Sequence, residues 1–113
     1  MYNNEELRRD LWLYVHHKCL AEAFPEYDFQ IMEPYKRVFR IAVDVLGLKR
    51  ADERQLVKYL CLVWLDKSTY KQISADISQT CRARVSEKYF MPFSDFNELL
   101  DELITARAKI IVW

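Results

Sequence analysis

Glycine is almost missing from this chain: Gly47 is the only one in 113 residues, beside three prolines, Pro25, Pro34 and Pro92. Average usage would supply about seven glycines per hundred residues. Hairpins and tight sheet turns rely on glycine for their left-handed positions, whereas a helix needs it chiefly as a stop. The shortage argues against a turn-rich β architecture and removes any glycine-rich phosphate loop. It predicts an all-α fold in which these four residues mark the element boundaries.

Long apolar runs are missing too. The longest uncharged one, Tyr59 to Leu65, has seven residues, against the roughly 20 that span a bilayer. The N-terminal Met-Tyr-Asn-Asn-Glu-Glu is acidic where a secretory leader would be basic and then apolar, so the expectation is a cytoplasmic protein with no membrane contact. Cysteine is scarce and odd in number. Cys19, Cys61 and Cys81 stand far apart, each in an apolar or helical stretch, and read as small buried hydrophobes rather than a disulfide framework. A surplus of charge is also lacking, with 17 basic and 17 acidic residues.

What is present suits one globular domain over residues 1–113. Sixteen aromatics supply ample surface to bury. The balanced charge is unevenly spread: residues 1–33 carry net −4, residues 34–90 net +6, and residues 91–113 net −2. Such segregation produces either neighbouring elements that neutralise each other or a dipolar molecule with two charged faces.

The spacing predicts about five helices in a compact bundle. The first runs from Glu5 to Ala23, capped by Asn3 with Glu6 three residues on. Leu7, Leu11, Val15 and Cys19 recur every four residues, widened by Trp12, Tyr14 and Leu20, with polar clusters at 8–10 and 16–18 on the water side. Residues 25–33 have no clean period and read as a loop, or a loop with one short turn. A second helix from Tyr35 to Leu46 buries Val38, Phe39, Ala42, Val45 and Leu46, and ends on Gly47 as a left-handed cap with Leu48 behind it. The third starts at Asp52 and runs to about Leu65; its last half is apolar on every side, which predicts that it lies at the centre of the bundle. The fourth, Tyr70 to Lys88, begins with Thr69 and Gln72 as a capping pair and carries Ile73, Ile77, Cys81 and Val85 in one line. The fifth is capped by Ser94 or Asp95 and turns Phe96, Leu99, Leu100, Leu103 and Ile104 inward. Four apolar residues, Ile110 to Trp113, end the chain; they are expected to pack on the core or else to form a partner site or close a homodimer.

Catalytic and metal chemistry find little support. His16 and His17 point about 100° apart on a helix, and no second close pair of Cys or His completes a tetrahedral set. They read as a solvated pair. A cysteine nucleophile would need one of these histidines as its base, and Cys61 sits among apolar neighbours. The chain is therefore expected to be no enzyme and to hold no cofactor or metal.

Two surfaces remain. Glu22, Glu26, Tyr27, Asp28, Phe29 and Glu33 combine negative charge with aromatic anchors, which suits capture of a basic protein partner. A basic patch within residues 36–58 (Arg37, Arg40, Lys49, Arg50 and Arg54) offers a nucleic-acid reading. Zero net charge and an apolar third helix make nucleic acid the weaker choice.

The stretch from Arg40-Ile-Ala-Val-Asp-Val-Leu-Gly-Leu-Lys-Arg to Val63-Trp-Leu65 joins an alanine-containing helix, a Gly-Leu stop, an acidic cap and an aromatic-rich helix. In that order it is similar to small all-helical bacterial proteins encoded beside type VI secretion effectors. Asp66-Lys-Ser-Thr-Tyr70 stands where that pattern continues with a glycine and Phe-Asp. The resemblance implies an immunity protein that neutralises a toxin, or an adaptor for a secreted effector, acting by steric and electrostatic occlusion.

Overall fold

The computed structural model describes residues 3–25, 37–80 and 87–111; the side chains of residues 77–80, 87 and 106–111 lie outside that description. Five α-helices appear among these residues: α1 (Asn4–Ala23), α2 (Val38–Leu46), α3 (Arg50–Val63), α4 (Lys67–Thr80) and α5 (Phe93–Ile111), with a 3₁₀ turn at Glu87–Tyr89 before the last. No strand occurs among them. The fold is an all-α bundle.

Local chemistry sets most boundaries. The Asn3 side chain accepts from the Glu6 N–H at 2.8 Å and starts α1. Gly47, at φ +76°, closes α2 in the left-handed region, and Leu48 is buried behind it. Helix α3 opens two residues before Asp52, whose carboxylate instead reaches back to the Lys49 N–H at 2.8 Å. Helix α4 is capped by Asp66 rather than Thr69: the Asp66 carboxylate accepts from the Thr69 N–H at 2.8 Å, and this bond holds its pKa below the ordinary value. Helix α5 starts earlier than Ser94 or Asp95 would cap it, with the Pro92 carbonyl accepting from the Asp95 and Phe96 N–H groups.

The central element is α1, not α3. Helix α1 packs against α2, α3 and α5 and buries Leu7, Leu11, Trp12, Tyr14, Val15, Cys19 and Leu20. Tyr14 meets Glu53 and Cys19 meets Cys61, so α1 and α3 run in the same chain direction. Arg8 meets Asp101 and Trp12 meets Phe93, so α5 runs antiparallel to α1. Helix α3 buries Asp52, Leu56, Val57 and Leu60 on one side only. Val63, expected inside, is 56% exposed, and Val45 of α2 is 58% exposed. Both lie at the last turn of a helix whose buried stripe has already met α1.

His16 is wholly buried instead of solvated. Its ring stacks on Phe90 with centroids 4.6 Å apart and meets Trp64 edge-on at 4.9 Å, with Trp12 and Phe96 completing the surround. Its Nδ1 lies 2.7 Å from the Trp12 carbonyl, and its Nε2 accepts from the Met91 N–H at 3.1 Å. The amide can only donate, so the proton sits on Nδ1 and the ring is neutral. Burial lowers its pKa to about 4, against the opposing pull of the Trp12 carbonyl, with His17 lowering it further.

Candidate protein-binding face

The residues on the water side of α3 fall into two adjoining lines of four-residue spacing. One is Arg50, Arg54, Lys58 and Leu62; the other is Ala51, Gln55, Tyr59 and Val63. All eight are exposed. Their order along the helix divides the face into a cationic N-terminal half and an apolar C-terminal half. Leu62 is 74% exposed and Tyr59 42% exposed, beside Val63. Side chains of this type at consecutive turns cost solvation free energy in water, and contiguous exposed apolar surface marks interaction sites.

Helix α3 is held at both ends beneath this face. At its start the Asp52 carboxylate accepts from the Lys49 N–H, and the Asp52 N–H donates to the Lys49 carbonyl. In its first turn Glu53 accepts a hydrogen bond from the Tyr14 hydroxyl of α1. Burial and the neighbouring Glu53 carboxylate push the Tyr14 phenol well above its ordinary pKa, keeping it a donor. At the far end the Trp64 and Leu65 N–H groups both donate to the Leu60 carbonyl, which closes the last turn. Trp64 then turns inward against His16 and Phe90. The apolar run Tyr59–Leu65 is thereby split: Leu60 and Trp64 serve the core, while Tyr59, Leu62 and Val63 face water.

The basic residues expected from the sequence are all exposed. Arg37 and Arg40 stand at the start of α2, Lys49 caps α3, and Arg50 and Arg54 lie on its open face. Lys58 extends that line. Of the acidic candidates only Glu22 is described; it is exposed near the end of α1. Glu26, Tyr27, Asp28, Phe29 and Glu33 lie outside the described residues, as do Val112 and Trp113 of the tail; the side chains of Ile110 and Ile111 are likewise outside. The three apolar residues of the α3 face were missed by sequence reasoning, which assigned them to the core. The signal was the strict four-residue line of Arg50, Arg54 and Lys58, which continues to Leu62.

Both ring nitrogens of His16 are engaged by the protein itself, Nδ1 of His17 lies 2.7 Å from the Leu13 carbonyl, and no group of three His, Cys, Asp or Glu side chains is placed to hold a metal among the described residues. No helix among them is long and apolar enough to cross a membrane. No protein-family model matches the chain, and no curated protein or solved structure matches it.

Proposed function

We propose that the chain is a non-enzymatic protein-binding module and that the open face of α3 is its docking surface. The observation that carries this is the exposure of Tyr59, Leu62 and Val63 directly beyond the cations Arg50, Arg54 and Lys58. A partner that fits presents carboxylates next to an apolar patch. Opposite charges steer the encounter, and the buried apolar anchors hold the complex. A cytoplasmic toxin or secreted effector with such a surface would be neutralised or escorted by occlusion alone.

The test is capture from a host extract on the immobilised full chain, compared across four proteins. These are the unaltered chain, Leu62→Glu with Val63→Glu, Arg50→Glu with Arg54→Glu, and Glu26→Lys with Asp28→Lys. A protein retained by the first and last and lost by the two α3 variants, at unchanged helicity, supports the assignment. Retention by all except the Glu26/Asp28 variant moves the site to the acidic segment.

A nucleic-acid-associated regulator is the alternative, favoured by the exposure of Arg37, Arg40, Lys49, Arg50 and Arg54 together. It requires a duplex shift in a gel that disappears when those residues are neutralised. Retained binding after Leu62→Glu would point the same way, because phosphate contacts have no use for that leucine.

A further inference from the structure

Cys19 and Cys61 face each other across the contact between α1 and α3. Their Sγ atoms are 2.7 Å apart although the two residues stand 42 positions apart in the chain. Both are free thiols, the sulfurs standing farther apart than the roughly 2.05 Å of a bond. The rest of the contact holds them in place: Tyr14 bonds Glu53 on the same pair of helices, and Leu20 and Leu60 are fully buried beside the two cysteines in sequence.

We infer that Cys19 and Cys61 are a redox modification site that closes to a disulfide in the folded protein. The two thiols differ in access. Cys19 is fully buried, and burial pushes its thiol above the ordinary range; Cys61 is half-buried, one residue from the exposed Leu62. Cys61 is therefore the sulfur that meets an oxidant from solution, and Cys19 is the resolving partner.

With a small-molecule disulfide as the oxidant, glutathione disulfide for example, the steps balance. The Cys61 thiol loses its proton and attacks one glutathione sulfur, forming a Cys61–glutathione mixed disulfide and releasing one glutathione thiol. Cys19 then attacks the Cys61 sulfur. The Cys61–glutathione bond breaks, the Cys19–Cys61 bond forms, and the Cys19 proton leaves with the second glutathione thiol. Two protein thiols are oxidised and one glutathione disulfide is reduced to two thiols. The product ties the central helix to the helix that carries the exposed face, and the inference stands on the sulfur geometry whether or not that face docks a partner.

The experiment equilibrates the full chain, and a Cys81→Ser variant, in graded mixtures of reduced and oxidised glutathione. Samples are quenched in acid, alkylated and mapped by mass spectrometry, with parallel samples in concentrated urea. The expected result is an intact mass two alkyl groups short of the fully reduced, alkylated form in both proteins, and a linked peptide pair containing Cys19 and Cys61. Its formation should be favoured by about tenfold or more in the folded protein over the urea sample. Three results would each overturn the inference: full alkylation at both cysteines in oxidising mixtures, linkage through Cys81 in their place, or equal formation with and without urea. A mixed disulfide that persists at Cys61 would overturn it as well, because Cys19 then fails to resolve it.

Discussion

The Met91 N–H donates to Nε2 of His16, an imidazole with no exposure to water. The same residue's carbonyl accepts the Trp12 indole N–H at 2.8 Å. Two side chains one turn apart on α1 thus satisfy both backbone groups of a single residue in the connector before α5. The connector Tyr89–Phe93 carries Phe90 and Phe93 onto the same part of α1, where both rings meet Trp12. A short segment with few backbone bonds of its own is fixed by the side chains it lies against.

This arrangement makes stability depend on pH in a defined window. The folded pKa of His16 is about 4, whereas a free histidine titrates near 6.5. Between those values the unfolded chain binds a proton that the folded protein refuses. The neutral ring's contribution is complete above about pH 6.5 and is lost as pH falls toward about 4, by roughly 3 kcal/mol across the window. Urea unfolding at steps between pH 7 and 4 reads this slope directly. His16→Phe should flatten it, apart from the carboxylates that begin to titrate at the acid end; an equally steep slope in that variant would place the dependence elsewhere.

Gly47 offers a separate test. Its φ of +76° is left-handed, and a Cβ added there would meet nothing within 4 Å. Substitution is therefore penalised through the backbone alone. Gly47→Ala should lower stability by about 1 kcal/mol, with Gly47→Asn intermediate because asparagine tolerates this region better. Thermal melts of the three proteins give the order. Equal stability for alanine and glycine would show that the helix can end without the left-handed residue.

The stop at Gly47, the Asn3 cap and the α1 stripe were legible because each rests on neighbours in sequence. The place of α3 was not. Seven apolar residues in a row, Tyr59 to Leu65, read as a helix surrounded on all sides, yet which helix is surrounded depends on packing partners that periodicity does not contain. Helix α1, with a polar cluster at 16–18, takes the centre because His16 can be buried once Trp12 and Met91 satisfy both its nitrogens. The Cys19–Cys61 approach was illegible for the same reason, as 42 positions separate the pair. The α3 face was half legible: Arg50 and Arg54 stood out as cations, but Tyr59, Leu62 and Val63 were assigned to the core.

The junction of α1 with α5 rests on Arg8, whose guanidinium donates to Asn97 and Asp101 oxygens, both at 2.7 Å, and to Asn4 at 2.6 Å. The Arg8–Asp101 ion pair is substantially open to water on the acid side. Asp101→Asn should therefore cost less than about 1 kcal/mol, and less still in high salt. Arg8→Ala removes all three bonds and strands the half-buried Asn97, so a loss of about 1–2 kcal/mol is expected. Denaturant midpoints at low and high salt separate the two terms. A salt-independent loss in Asp101→Asn would mean that the carboxylate acts through packing and not charge.

Neighbouring positions on α3 should respond in opposite ways if core and face are assigned correctly. Leu60 is fully buried, and Leu62, two residues on, is 74% exposed. Leu60→Ala removes packed methyl groups and leaves a cavity, with an expected cost of about 2–5 kcal/mol. Leu62→Glu places a charge in water and should change stability by no more than about 0.5 kcal/mol. Urea midpoints measured on both variants decide the matter. A large loss in Leu62→Glu would mean that this leucine is covered in solution, and its dependence on protein concentration would then reveal whether a second copy of the chain is what covers it.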